Sequence, residues 1–194
     1  MEPVLLPVEA PVERRSPSLG QRLGAVLAVC LAILLFAWAS LLLSSEPIDV
    51  AHGKQVDAAI ALLAQRGFSK ESFALTYLTT YRSTDNWWNR YVGHAQAYAA
   101  TNFPFEVITL YPRFFQATVD DTERAVILLH EAQHLLGHGE EIALRYVWLE
   151  RPRLGWTDER YSRSRVWRNT REWTQQSAPA LFVCGADGKS DCVE

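Results

Sequence analysis

The stretch Ala125-Val126-Ile127-Leu128-Leu129-His130-Glu131-Ala132-Gln133-His134-Leu135-Leu136-Gly137-His138-Gly139-Glu140 decides how this chain is read. It opens with an unbroken apolar run and continues into two histidines, His130 and His134, four residues apart. Residues at that spacing share one helix face, one turn apart, so their two imidazoles can converge on a single metal ion. Glu131 is rotated by about 100° from His130, which aims its carboxylate beside such an ion rather than at it. A carboxylate in that position can take a proton from a metal-activated water. The apolar run before the histidines, with Leu135 and Leu136 after them, supplies the buried face that such a helix needs.

Both ends of this helix are readable. Asp120 or Asp121 can cap its N-terminus, and Glu123 suits the first turn. Its C-terminus is expected near Gly137. A catalytic zinc site usually has three protein ligands and a water, so a third ligand is needed. His138 cannot supply it on an unbroken helix, where it would stand about 12 Å from His130 along the axis. The chain must turn first, and Gly137 is placed to allow that.

Residues His130 to His134 fit the pattern H-E-x-x-H, and from His130 to Glu140 the chain resembles the zincin metallopeptidases. The longer stretch, H-E-x-x-H-x-x-G-x-x-E, is similar to the metzincin motif with glutamate where histidine or aspartate normally sits. The resemblance implies zinc held by His130, His134 and Glu140, with Glu131 as the general base of peptide-bond hydrolysis. Glu141 would correspond to the gluzincin arrangement, and both Glu141 and His138 stay open as third ligands. The metzincin methionine turn has no counterpart, because Met1 is the only methionine. In zincins a sheet edge strand beside the catalytic helix binds substrate backbone as an added strand. The resemblance gives that role to Phe105–Tyr111. Tyr146, Tyr161 and Arg145 are candidate donors to a developing oxyanion, and the sequence does not choose among them.

Away from this helix the chain alternates between legible and ambiguous segments. Val56, Ile60 and Leu63 fall on one helix face, and Gly67 suits the position after the helix end. Phe73 to Tyr81 is rich in aromatic and β-branched residues and reads as a strand, and Phe105 to Tyr111 as a second strand closed by Pro112. Ser83-Thr84-Asp85-Asn86 is a turn signal, and Trp87 to Asn102 reads as helical. A helix is expected over Glu140–Leu149, broken by Pro152 and Gly155, and another from Thr157 to about Gln175. In that last segment Arg160, Arg163, Arg168 and Arg171 interleave with Trp156, Trp167 and Trp173. This pattern fits an amphipathic helix with tryptophans on the core and arginines in water. His52 and His94 read as surface or structural residues.

From Leu23 to Leu43 there is no charge and no proline, enough for a helix of roughly 30 Å. Arg14, Arg15 and Arg22 precede it and Glu46 and Asp49 follow, which predicts a cytoplasmic N-terminus and an exported C-terminal domain, periplasmic or extracellular. Ala37-Trp38-Ala39 offers a cleavage-site pattern, but Leu41, Leu42 and Leu43 continue the apolar run past it and favour an uncleaved signal anchor. Cys30 reads as a small apolar residue within that helix. Export gives Cys184 and Cys192 an oxidising surrounding in which to pair across the turn containing Gly185, Asp187 and Gly188.

These readings give a chain of 194 residues with four parts: a disordered tail over 1–21, a transmembrane signal anchor over 22–44, a linker over 45–50, and one domain over 51–194. The fold class is α+β: a small zincin-like domain, its few-stranded sheet packed on the helix bearing the motif, behind one N-terminal transmembrane helix. The formal net charge of -3 gives no reason to expect nucleic acid as a partner. The expected partners are a peptide or protein substrate and the membrane through residues 22–44. A metal-binding but idle domain, or a purely structural exported domain tethered to the membrane, remains as the alternative to an enzyme.

Overall fold

A computed structural model describes residues 18–92, 97–184 and 190–193. Most of the 1–21 tail, His94 and the turn at 185–188 therefore lie outside the described residues. The chain divides into two units, one up to Trp38 and one from Ala39 onward. Helix α1 runs Leu19–Leu43, with its last residues belonging to the second unit. It is long and apolar enough to cross a membrane. Leu23, Leu27, Leu31 and Ile33 all stand exposed along it, as does Cys30.

The second unit mixes helices with a small sheet and is mostly helical. Helix α2, Val50–Gln65, is capped by Asp49, whose carboxylate accepts from the amides of Ala51 and His52 at 2.8 and 3.0 Å. Its buried face includes Val56, Ile60 and Leu63, as their spacing requires. Gly67, at φ 84°, ends it in the left-handed region that favours glycine.

The next segment corrects the expectation of a strand over Phe73–Tyr81. Residues Ser69–Phe73 form helix α3, which continues as a π-helical turn over Ala74–Leu78. Only Thr80–Arg82 is extended, as strand β1. Burial follows a helix here: Ala74 and Leu75 face the core while Phe73, Tyr77 and Leu78 are exposed. The Thr79 and Tyr81 hydroxyls close the turn by donating to the carbonyls of Ala74 and Leu75. Packing on the core has overridden the β-propensity of these residues.

A second correction concerns Trp87–Asn102, read as helical. Helix α4 covers only Trp87–Val92, and Ala99–Asn102 is strand β2. Strand β3, Val107–Leu110, lies within the expected Phe105–Tyr111 strand. The sheet order is β1-β3-β2, with β1 parallel to β3 and β2 antiparallel to it, in register from Ala99↔Leu110 to Asn102↔Val107. Strand β3 is therefore central, with all four residues buried, and the edge strand packed on the motif helix is β2. Alanines, a threonine and an asparagine give β2 no apolar alternation. It is held partly by buried amides: Asn86 donates to Asn102 at 2.7 Å, Asn102 to Asn89 at 2.8 Å, and Asn89 to Thr109 at 3.0 Å.

Helix α5, Pro112–Gln116, leads into α6, Asp121–Leu135, the helix of the motif, which packs against α2, α7 and β2. Helix α7 runs Glu140–Leu154, past the expected end at Leu149. Pro152 has no amide to offer the carbonyl of Trp148, and Arg151 Nη1 donates there instead, at 2.8 Å. The helix stops at Gly155, φ 73°. The expected helix from Thr157 is interrupted: α8 covers Asp158–Tyr161, and Ser164 caps α9, Arg165–Ser177, by accepting from the Trp167 amide.

Trp148, Trp156 and Trp167 are buried together with Phe182, with ring centroids of Trp156 and Trp167 4.6 Å apart. At roughly 150–250 Å² per ring, each contributes about 4–6 kcal/mol of gross hydrophobic stabilisation. Arg160, Arg163, Arg168 and Arg171 point to water, so this part of the chain packs as an amphipathic structural segment. Cys184 and Cys192 form a disulfide. Next to Cys192 in the chain, Asp191 accepts from Arg151 at 2.6 Å and from the Trp148 indole at 3.0 Å, pinning the C-terminal end to α7.

Candidate metal centre

Helix α6 is positioned from its start. Asp120 caps it by accepting from the amides of Thr122 and Glu123. Glu123, in its first turn, turns back to accept from the Val119 amide at 2.9 Å and also from Ser164 and Trp156. Its carboxyl is wholly buried, and that burial pushes its pKa up. Ala125 to Leu129 are all buried, which fixes the rotation of the helix and turns His130 and His134 toward a cavity of about 840 Å³.

The helix ends in a Schellman turn: the Gly137 amide donates to the His134 carbonyl at 2.9 Å and the His138 amide to the Gln133 carbonyl at 3.0 Å. Gly137 takes φ 79°. The chain reverses there, Gly139 precedes α7, and Glu140 enters as the first residue of α7 facing the two histidines. His130 Nε2 and His134 Nε2 lie 3.1 Å apart, and Glu140 Oε2 lies 3.5 Å from the first and 3.2 Å from the second.

That triangle fits a metal ion. Ligand atoms about 2.0–2.1 Å from a tetrahedral zinc stand roughly 3.3–3.4 Å from one another, close to the three separations found here. His134 Nδ1 sits 2.9 Å from the His138 carbonyl oxygen. A proton on Nδ1 satisfies that contact and leaves Nε2 with its lone pair free for a metal. It is thus the backbone carbonyl of His138 that meets the His134 ring, while the His138 ring nitrogen pairs with Gln133 Oε1 at 3.0 Å. Neither the His138 ring nor Glu141 joins the cluster, whose members are His130, His134 and Glu140.

Electrostatics agree with the geometry. Burial lowers the His134 pKa, but the hydrogen bond to Glu140, the charge of Glu131 and the His138 carbonyl together carry it up to about 9. The two histidines in turn hold the Glu140 carboxyl well below the usual carboxylate range. At neutral pH His134 therefore holds a proton against the Glu140 carboxylate, and a metal ion bound there would displace it.

Glu131 lines the same cavity and is 4 % exposed. Its Oε2 accepts a 2.7 Å hydrogen bond from the hydroxyl of Thr101, on edge strand β2. No sequence pattern marks Thr101, because the contact spans thirty positions and joins a strand read as helix. The cavity runs along Ala99, Ala100 and Thr101 on one side and over Val126, Leu144 and Trp173. None of the three oxyanion candidates lines it. Tyr146 donates to Glu71 and Tyr161 to Asp120, and Arg145 points to solvent. His52 pairs with Asp49 beside the Phe115 ring, consistent with a structural role.

Compared with protein-family models, with curated proteins and with solved structures, the chain finds no match in any of the three. The site is therefore assigned from its own geometry.

Proposed function

We propose that this chain is a membrane-anchored zinc-dependent hydrolase that cuts peptide bonds. The observation that carries the proposal is the His130–His134–Glu140 triangle with the Glu131 carboxylate beside it in one cavity. Two nitrogens and one carboxylate oxygen, with room for a fourth ligand, suit catalytic zinc. Bound zinc would supply Lewis acidity that makes a water nucleophilic near neutral pH and polarises a carbonyl.

The chain's own residues would do the rest. Glu131 accepts the proton of the attacking water and delivers it to the leaving amine nitrogen. Thr101 holds one oxygen of that carboxylate and so directs the other into the cavity. The His138 carbonyl keeps the His134 ring in the ligating orientation. A peptide is favoured as substrate because the cavity runs along the edge strand β2, whose described pairing is on the β3 side alone, so an extended chain can add to its other side.

The test uses the full chain in detergent, loaded with zinc, against a library of quenched fluorescent peptides. Wild type is expected to cleave, and Glu131→Gln to keep its metal while losing about 10²–10⁴-fold in rate. Undiminished cleavage by Glu131→Gln, or none by the metal-loaded wild type, would refute the proposal.

A further inference from the structure

Helix α4 is built inside out. Asn86, which caps it, and Asn89 are 0 % and 1 % exposed and bury their amides against Asn102 and Thr109. Its outward stripe is Trp87, Trp88, Tyr91 and Val92, exposed by 46, 50, 86 and 53 %. Positions 87, 88, 91 and 92 fall on one helix face. A helix facing water carries the opposite pattern, polar outside and apolar within.

The location of this stripe says what covers it. The Trp87 indole donates to Ser40 Oγ at 3.0 Å, and the Trp87 amide to Ser44 Oγ at 3.2 Å. Arg90 donates to the Ser44 carbonyl at 2.6 Å, and Arg82 to the carbonyls of Leu42 and Ser45. Residues 40–45 are the end of α1 and the two residues after it, in the same unit as α4. The two arginines therefore cap the C-terminal carbonyls of the apolar helix, where cations are favoured. The aromatic stripe is fixed at the level where that helix would leave a bilayer. Tryptophan and tyrosine prefer that depth, because their rings are apolar with one polar atom.

We infer that the Trp87, Trp88, Tyr91 and Val92 face of α4 is a membrane-interface contact, lodged among lipid headgroups at the end of α1. The inference rests on α1 spanning the bilayer. It also gives the membrane a structural link to the candidate site. Asn86 bonds to Asn102 of β2, and the neighbouring Thr101 bonds to Glu131.

The test reconstitutes the full chain into phosphatidylcholine–phosphatidylglycerol vesicles whose acyl chains carry bromine, a fluorescence quencher, either near the headgroup or near the chain end. The emission lost in Trp87→Phe/Trp88→Phe relative to wild type reports those two rings. Trp88→Phe alone, which keeps the Trp87–Ser40 bond, gives a second reading should the double variant not fold. Expected is strong quenching of that emission by the shallow bromines, little by the deep ones, and protection from aqueous iodide. Should the chain float with vesicles while this emission ignores both bromolipids, the α4 contact is overturned and the α1 span stands. Shielding from iodide without lipid quenching equally overturns it, in favour of a protein partner on this face. A chain that fails to float with vesicles overturns the span and the contact together.

Discussion

Replacing Gly137 by alanine tests whether the turn after α6 is what delivers Glu140 to the histidines. Gly137 sits at φ 79°, and a Cβ there would meet only Phe103 Cζ, at 3.8 Å, an ordinary contact. The cost of Gly137→Ala is therefore conformational, about 1–2 kcal/mol for an L residue held in the left-handed region. Gly139, two residues on, is an internal control: its φ is −78° and a Cβ there meets nothing within 4 Å. Gly139→Ala should be close to neutral, a gain of about 0.4–1 kcal/mol through the unfolded chain being offset by the poorer N-cap that alanine gives α7. Where Gly137→Ala relaxes by opening the turn, Glu140 withdraws and zinc binding must restore the strained backbone. The same 1–2 kcal/mol then appears as a roughly 5- to 30-fold weaker zinc affinity. Chemical denaturation in chelator gives the first quantity and competition with a fluorescent zinc chelator the second. Equal stability and equal zinc affinity for Gly137→Ala and Gly139→Ala would refute the account of this turn.

Other perturbations separate the site from the scaffold. Thr101→Val should reduce peptide cleavage with zinc content unchanged, and Thr101→Ser should restore most of it; a loss of zinc in Thr101→Val would show that the hydroxyl supports the metal instead of the base. Because His134 is raised to about 9, its pairing with Glu140 in the chelated protein contributes stability that is full below the unfolded histidine pKa and lost as pH rises through about 9. Glu140, depressed, contributes stability above its unfolded pKa that is lost as pH falls. Zinc binding at pH 7 should then release roughly one proton, read by calorimetry in buffers of differing ionisation enthalpy, and zero release would contradict the His134–Glu140 pairing. Asp191→Ala removes the carboxylate that accepts from Arg151, whose side chain is 6 % exposed, and from the Trp148 indole, and should destabilise by about 3–5 kcal/mol in thermal or denaturant unfolding. Cys184→Ser/Cys192→Ser opens a short loop, with a sequence separation of 8, and should cost about 2.5 kcal/mol by the chain-entropy relation, also read by unfolding.

Strong periodicity was the legible part of this molecule. The apolar helix α1, the buried faces of α2 and α6, and the stops at Gly67 and Gly137 follow from composition and spacing. The turn at Gly137 that any third ligand requires was legible too, but spacing left Glu140, Glu141 and His138 open, and it is Glu140 that approaches His130 and His134. The segments that misled are those where the core contact is not apolar. Strand β2 is fixed by buried asparagines and by Thr101, and α4 turns its polar side inward, so hydrophobic alternation carries no trace of either. The aromatic run at Phe73–Tyr81 has strand composition, yet only Ala74 and Leu75 of its first six residues are buried, at adjacent positions that suit a helical turn. Pro152 shows the same limit at shorter range, since a proline that looks like a stop is accommodated once Arg151 takes over the freed carbonyl.

The central claim, that His130, His134 and Glu140 hold one zinc ion, is tested most directly by elemental mass spectrometry of the purified full chain. The account predicts about one zinc per chain, lost in His130→Ala and His134→Ala and weakened in Glu140→Ala, while Glu141→Ala retains it. A wild-type chain that carries no zinc and takes up none when zinc is added back at neutral pH would contradict it.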